Sequence, residues 1–401
     1  MFLRGIFLMF LKILAYFVPF AINFLSGGFF FITSYRFAEA SAPGIIIGSA
    51  TAAWGIAYCA VTAIVGKLVN GANALKFILS GGVMLMITAL GFIIFNGLYT
   101  QFVWLICAGV GAAMFCTPFQ LLAKAIESGG ETPGTVKATA FYTLTWSTGI
   151  ATGPLAFARF SVRTGFIITF ILALAVTVSV MIIAKLLKNK EKNCNTVDCD
   201  TAAKEKETEI FSEKDYNKLA ILGWIVGGLG TITVCQIRSM WPKHGDFLAI
   251  AKDHIAYILA LVSYIQAFTA LLLCRSETWM WRKVPALLMT LPAVLSLLLF
   301  AFATDLKIFY AAAVIYGIYS GTFYFYLVYH SLAHPTRSRF FVAGNEVIVG
   351  IVNLLAPVIG GMFVDITGFT GSPFIFALAM AAAAFAAQMV ILNSIKQPVV
   401  K

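Results

Sequence analysis

Charged residues are scarce in this chain, and their scarcity excludes most classes of soluble protein. Of 401 residues only 11% are charged, while 60% are hydrophobic and the mean hydropathy is +0.91. This composition lies far outside the range of soluble domains and predicts a protein whose main partner is the lipid bilayer. The net charge of +11 has no soluble domain to carry it, so we expect no nucleic-acid partner.

Motifs for catalysis and for metal binding are also lacking. The sequence contains no H-E-x-x-H, G-x-S-x-G or P-loop pattern, which argues against an enzyme and against ATP-driven transport. The 7 cysteines form no disulfide framework. Cys194 and Cys199 are interpreted as reduced thiols, with a metal site at their C-x4-C spacing as the alternative. We therefore predict no cofactor and no metal.

Long apolar segments fill most of the sequence. A helix needs roughly 20 apolar residues to cross a bilayer core about 30 Å thick, and segments of this length recur twelve times. The first is too long for a signal peptide and is expected to be retained. The sequence predicts an all-α integral membrane protein with spans at 11–35, 44–65, 77–98, 101–123, 138–160, 165–187, 219–241, 255–274, 284–303, 308–332, 340–363 and 373–394.

One polar stretch, Lys188–Lys218, interrupts the apolar pattern after the sixth span. It holds eight of the 17 acidic residues in the chain, and its composition is typical of a flexible tether. We predict two six-helix bundles, 1–188 and 219–401, joined by a cytoplasmic linker at 189–218.

Lysines and arginines are distributed unequally between the two sides of these spans. The side with the termini and the linker holds 21 of them and the opposite side 7, which together make the 28 in the chain. Because positive loops face the cytoplasm, we expect a multi-pass plasma-membrane protein, of the bacterial inner-membrane kind, with both termini cytoplasmic.

The two halves also share a sequence pattern. Shifting the chain by 203 residues aligns 153–166 with 356–369, with five identities in fourteen positions. These segments end the fifth and eleventh spans, which are equivalent positions if the halves repeat. Parallel repeats of six helices are typical of one large class of secondary transporters.

The motifs at these positions resemble those of the major facilitator superfamily. Its G-x-x-x-G-P pattern is matched by Gly149, Gly153 and Pro154, and more weakly by Pro357, Gly360 and Gly361. These residues are expected to pack helices closely and to bend them, without contacting solute. The loop after the second span is degenerate: Gly66 and Leu68 match the family, whereas Asn70 replaces an aspartate. The charged contact that this aspartate supplies in the family is therefore in doubt here.

The resemblance implies that the first, fourth, seventh and tenth helices line a central cavity. The tyrosines of the tenth span form one helical stripe, which suits a solute with apolar and hydroxylated faces. The alternative is that this stripe packs against neighbouring helices. The candidate substrate-binding residues are Asn23, Thr117, Gln120, Gln236, Tyr316, Tyr319, Ser320 and Tyr326.

Charges inside the spans are a second guide to function, because they are costly in a membrane. Glu346, beside Asn345, lies about two turns into the eleventh span. It is a candidate for proton coupling, and the alternative is a structural ion pair at the inner gate with Arg337, Arg339 or a linker lysine.

Four arginines form a candidate anion gate at the outer ends of three helices. Arg36 and Arg238 end the first and seventh spans, while Arg159 and Arg163 lie on one face at the end of the fifth. Converging guanidinium groups would bind a carboxylate or phosphate. The alternative is that they are interfacial arginines that extend to the headgroups.

Two kinds of function remain from the sequence. The first is a secondary transporter, acting as a monomer on a small-molecule solute, preferably neutral and sugar-like or amphipathic. An organic anion or phosphate ester is the alternative solute, bound by Arg36 and Arg238. The second kind is a non-transporting membrane sensor or a lipid-handling protein on the same fold.

Overall fold

The computed structural model describes residues 2–70, 73–127, 134–194, 211–276 and 278–395. These residues form twelve α-helices and a short 3₁₀ turn, Thr278–Trp281, and the predicted all-α fold is confirmed. The helices are α1 Phe2–Glu39, α2 Gly44–Leu68, α3 Ala74–Ile94, α4 Gln101–Glu127, α5 Gly134–Arg159, α6 Val162–Cys194, α7 Glu213–Phe247, α8 Lys252–Leu273, α9 Lys283–Phe302, α10 Leu306–Leu332, α11 Ser338–Thr367 and α12 Ser372–Asn393.

Helix α5 differs from the others in its polarity. In the described part of the chain, eleven helices are long and apolar enough to cross a membrane, and α5 is not among them. Its polar side chains instead bond to α8 in the other half: Gln266 donates to Ser147 (2.6 Å), and Thr152 and Tyr264 share a hydrogen bond (2.9 Å). Because these groups are satisfied by another helix, α5 can lie within the bundle without a fully apolar surface.

Helix α7 is longer than the sequence predicted. It begins at Glu213 and continues through Pro242 to Phe247, whereas the predicted span was 219–241. A proline inside a buried helix is tolerated where neighbouring helices satisfy the freed backbone groups. The predicted polar linker is shortened accordingly, since α6 continues to Cys194, and residues 195–210 lie outside the described part of the chain.

The two halves, α1–α6 and α7–α12, meet along two helix pairs. Extensive contacts join α2 to α11 and α5 to α8. Exchanging the halves converts one pair into the other, because α2 corresponds to α8 and α11 to α5. We call the side where α6 ends and α7 begins the linker side, and the opposite side the far side. Helix α2 runs from the far side to the linker side, antiparallel to α11.

Glycines allow the close approach of these helices. A Cβ added at Gly48 of α2 would overlap the backbone of Pro357 in α11, and one at Gly361 would overlap the backbone of Gly44. Within the first half, a Cβ added at Gly149 or Gly153 of α5 would overlap the backbone of α1 in the same way. Gly149, Gly153 and Gly361 of the two motifs therefore lie at backbone contacts between helices, whereas a Cβ added at Gly360 would meet the side chain of Gln236.

Candidate functional site

A cavity of about 90 Å³ lies between the halves. Its volume is several times the roughly 10–15 Å³ that one water molecule needs. Seven helices contribute to its wall: α1, α2, α4 and α5 from the first half, and α7, α10 and α11 from the second. Its polar lining is Asn23, Ser26, Arg238, Asn345, Glu346 and Asn353, and its aromatic lining is Phe30, Trp54, Tyr58, Tyr142, Trp146 and Tyr324.

Glu346 lies at the linker-side end of the cavity and is almost completely buried. The Tyr58 hydroxyl donates a hydrogen bond to its Oε2 atom, and the Gln120 amide donates to its Oε1 atom. The amide of Asn345 contributes a longer bond to Oε1, at 3.5 Å. Tyr58 and Gln120 belong to the first half and Glu346 to the second, so this carboxyl group joins the two halves.

Within the described part of the chain, the ion pair considered for Glu346 is not formed. Arg339 instead donates from Nε to the carbonyl of Gly66 (3.3 Å) and from Nη2 to that of Lys67 (2.6 Å). Among the described residues, no lysine or arginine is paired with Glu346. Arg339 is held at the linker-side surface by the end of α2, whereas Glu346 lies two turns deeper.

Arg238 lies near the other end of the cavity, whereas it was predicted at the outer end of the seventh span. It also lines a smaller pocket with Pro154, Leu259 and Ser263. The prediction of an outer-gate position was wrong because α7 continues for about two and a half turns beyond Arg238, to Phe247. Its Nη2 atom is buried and finds no hydrogen-bond acceptor among the described residues.

The other predicted gate arginines do not converge on Arg238. Arg36 donates from Nη1 to the side-chain oxygen of Asn96 (2.8 Å) and from Nη2 to its backbone carbonyl (3.0 Å), within the first half. Arg159 is the last residue of α5 and Arg163 the second residue of α6, so they do not share one helix face, and both are exposed. The structure therefore does not form the predicted four-arginine gate.

Aromatic rings form a connected wall around the cavity. The rings of Trp54 and Tyr58 stack with their centroids 4.4 Å apart, and Phe30 meets Trp54 edge-on at 5.3 Å. Across the interface between halves, Trp146 of α5 meets Tyr324 of α10 at 4.8 Å. The cavity thus combines flat apolar surfaces with a charged group toward each end.

The predicted tyrosine stripe of α10 lies inside the second half. Tyr316 shares a hydrogen bond with Thr233 of α7, and the Ser320 hydroxyl donates to a carbonyl of its own helix at 3.1 Å. Tyr319 and Tyr326 line a small internal space beside α9 and α12. These four residues do not line the cavity described above, and their contacts are those of the packing alternative. Because α10 is buried on nearly all sides, the sequence pattern could not distinguish its faces.

The remaining substrate-binding candidates have mixed outcomes. Asn23 lines the cavity, and its amide donates to the Pro19 carbonyl at 2.9 Å. Gln120 contacts Glu346 but is not among the residues that line the cavity. Thr117 is buried away from the lining, and the Gln236 amide donates to the carbonyl of Ala356 in α11.

The aromatic residues that α2 and α5 contribute were not predicted from the sequence. Trp54 and Tyr58 are four positions apart on α2, and Tyr142 and Trp146 are four apart on α5. That spacing places each pair on one helix face. Both pairs of large aromatic residues stand among small residues in the sequence. This contrast in size is the pattern from which the two pairs could have been predicted.

Helix α2 is capped at both ends by α11. At the far side, the Asp365 carboxylate accepts hydrogen bonds from the backbone N–H groups of Gly44 (2.7 Å) and Ile45 (2.8 Å). At the linker side, Arg339 donates to the last carbonyls of α2, as described above. An acid at a helix N-terminus and a base at its C-terminus both complement the helix dipole. The two contacts hold the halves together on each side of the cavity.

The degenerate loop motif takes part in the linker-side contact through its backbone. A Cβ added at Gly66 would lie 2.6 Å from the Cβ of Ala343 in α11. Leu68 is exposed. Asn70 bonds with Asn73 in both directions, N–H to Oδ1 at 2.7 Å and 3.0 Å. Asn70 therefore shapes the turn after α2, and the interhelix charge contact is made by an arginine of α11.

Two six-helix halves surround a central cavity, an arrangement that is found among secondary transporters. No protein-family model and no curated protein matches the sequence. The structure resembles a mutant of the nucleoside transporter NupG, with 14% identity, TM-score 0.63 and coverage of 95% of this chain and 99% of the other. It also resembles a bacterial homolog of the human lysosomal transporter Spinster in an inward-facing, unoccupied conformation, with 14% identity, TM-score 0.66 and coverage of 98% and 99%. The chain has the fold of the major facilitator superfamily.

Proposed function

We propose that the protein is a secondary transporter that moves a small organic solute by alternating access. The observation that carries this proposal is the cavity, whose wall is built from both halves. Contacts between α2 and α11 close the halves together on the far side and on the linker side of that cavity. Rocking of the halves would break one set of contacts at a time and open the cavity to one side.

The nature of the solute is a separate question. The tyrosine stripe that favoured a neutral, sugar-like solute lies outside the cavity, and this removes its support. A neutral amphipathic solute stays an alternative, since one structural neighbour is named a nucleoside transporter. Arg238 in the cavity wall favours an anion instead.

We also propose the placement that the charge distribution predicts. The linker side would face the cytoplasm with both termini, and the far side would face outward, in a plasma membrane. We expect the monomer to be the functional unit, because a single chain supplies both of the halves that enclose the cavity.

Glu346 is the proposed site of ion coupling. Its partners are neutral side chains, so it can gain or lose a proton without leaving another charge unpaired. The titratable or charged groups that face it from neighbouring helices are Tyr58, Cys116, Tyr142, Tyr324 and Arg238. Glu346→Gln should remove the response of uptake to an imposed proton gradient. Glu39→Gln, at an exposed residue, is the control. A gradient response that persists in Glu346→Gln would give Glu346 a structural role only.

The transport proposal can be tested by filling the cavity. Ala112 of α4 lines the cavity, whereas Ile106 on the same helix is 42% exposed. In proteoliposomes, Ala112→Trp should abolish solute counterflow, and Ile106→Trp should leave it measurable. Binding of solutes without flux by the wild type would favour the sensor alternative. Full counterflow in a folded Ala112→Trp variant would contradict transport through this cavity.

A further inference from the structure

We propose that the transported solute is an organic monoanion whose carboxylate binds Arg238. The inference rests on the proposed transport function, because it assigns a chemical class to the solute of the same cavity. Arg238 is the only lysine or arginine among the described residues that line this cavity. A guanidinium group presents paired N–H donors that match the two oxygens of a carboxylate.

Two donor groups in this wall have no acceptor within the described part of the chain. The Arg238 Nη2 atom and the indole Nε1 of Trp54 are both buried, and neither has a hydrogen-bond acceptor among the described residues. Buried donors are nearly always bonded in folded proteins, since leaving one unsatisfied is costly. Both residues line the cavity, so a bound group that offers oxygen acceptors would satisfy them.

The negative group of the cavity is already satisfied. Tyr58, Gln120 and Asn345 all donate to the carboxylate of Glu346. A cationic solute would have to compete with these donors, whereas an anionic solute meets a guanidinium whose Nη2 atom has no acceptor among the described residues. One guanidinium compensates one negative charge, and a second negative charge in the same buried space would be left unpaired. The cavity is therefore matched to a single carboxylate.

The rest of the wall indicates the body of the solute. Trp54, Trp146, Tyr324 and Phe30 give flat apolar surfaces on both sides of the interface between halves. Rings of this kind pack against a planar apolar group by stacking or edge contact. An aromatic carboxylate combines both requirements, the flat body and the terminal anion.

Glu346 should oppose the bound anion. Cys235, one turn before Arg238 on α7, contacts Asn353, which lies seven positions beyond Glu346 on α11. This register separates the two charged residues by roughly 10 Å or more along the helix axes. A carboxylate bound at Arg238 would lie at a similar distance from Glu346. At an effective dielectric constant of about 20, the repulsion between these two negative charges weakens binding on the order of tenfold. Glu346→Gln should tighten anion binding by about that factor.

The experiment compares carboxylates with their neutral amides on purified protein. The probes are benzoate and benzamide, phenylacetate and phenylacetamide, and indole-3-acetate and indole-3-acetamide. Affinities come from thermal shift and calorimetry, since a ligand of the folded state raises the Tm. We expect at least one carboxylate to bind ten times or more tighter than its amide. Arg238→Gln should remove that preference, and Arg238→Lys should retain part of it.

Arg36→Gln is the matched control, because Arg36 is bonded to Asn96 within its own half. It should keep the carboxylate preference of the wild type. Three results would overturn the inference: amides that bind as tightly as carboxylates, a preference that survives Arg238→Gln, or no binding of any carboxylate. Counterflow of a neutral solute in the same preparation would then show that transport stands and that the anion assignment fails. Absence of flux for every solute would instead contradict the proposed function.

Discussion

The contact of Asp365 with α2 gives a quantitative prediction about opening of the far side. Its two carboxylate oxygens accept the first two backbone N–H groups of a helix that belongs to the other half. Removing a capping side chain costs about 0.5–2 kcal/mol, typically about 1. The charge of the carboxylate adds about 0.3–1 kcal/mol from the helix dipole. Because Asp365 is exposed and screened by solvent, we take about 1–2 kcal/mol for Asp365→Ala.

This free energy should appear in the equilibrium between closed and open far sides. The two bonds exist only while α2 and α11 are in contact there, so their loss favours the open state. A change of about 1–2 kcal/mol alters such an equilibrium by about 5–30-fold. Ser263 lines the smaller pocket that Arg238 also lines, between the cavity and the far side, and it is only 3% exposed. Ser263→Cys therefore makes a reporter, in a background whose native cysteines are replaced.

The assay is the rate at which a hydrophilic maleimide labels the reporter in nanodiscs. Asp365→Ala should raise the labelling rate by about 5–30-fold. Asp305→Ala is the matched control, since Asp305 is also exposed and caps the N-terminus of α10 within the second half, accepting from the Lys307 N–H at 2.7 Å. It removes a helix cap without breaking a contact between halves. Equal labelling rates in the two variants would refute the reasoning.

Three further predictions concern the contacts that surround the cavity. Arg339→Ala should increase labelling of a reporter at the linker side and leave labelling of the far-side reporter unchanged, because it removes only the linker-side cap of α2. A change in labelling of the far-side reporter would show that the two caps are not independent. Gly48→Ala should destabilise the folded protein by about 1–3 kcal/mol or more in thermal unfolding, because the added Cβ would overlap the Pro357 backbone. Gly97→Ala should be tolerated, since the nearest atom to its Cβ would be a threonine methyl at 3.3 Å. Tyr316→Phe should lower the Tm while the KM for solute stays unchanged, since its hydroxyl bonds within the second half; a raised KM would return Tyr316 to the binding site.

Glu346 and Arg238 show how far sequence reasoning reached into the site. Glu346 is singled out in the sequence because charges within membrane spans are costly, and Arg238 because it is one of four arginines at the outer ends of spans; both line the cavity. Their surroundings were not predicted. For Glu346 the alternative to proton coupling was an ion pair with Arg337, Arg339 or a linker lysine, and the structure places a tyrosine and a glutamine from the other half beside it. A partner that is 288 residues away in sequence, as Tyr58 is, leaves no local pattern to read.

The faces of the helices were harder to predict than their existence. In a helix of a soluble protein, the polar face is the one that meets solvent. In a membrane both lipid and neighbouring helices are apolar, so the hydrophobic periodicity does not show which face meets which. On α10 this placed the wrong tyrosines in the cavity, and Tyr324 is the one that lines it. On α2 and α5 the aromatic pairs were not predicted, because an aromatic side chain on a membrane helix can face lipid as well as a cavity.

The sequence by itself determined that the protein is embedded in membrane, that it has twelve helices, and that a polar stretch separates two halves. Those features follow from hydropathy, which adds up locally along each segment and needs no knowledge of the neighbours. Only the tertiary structure decided that α7 continues past Pro242, that Arg238 faces the cavity, and that α11 caps both ends of α2. Each of these depends on which helix lies alongside, and in a bundle that is settled by packing across the interface between halves.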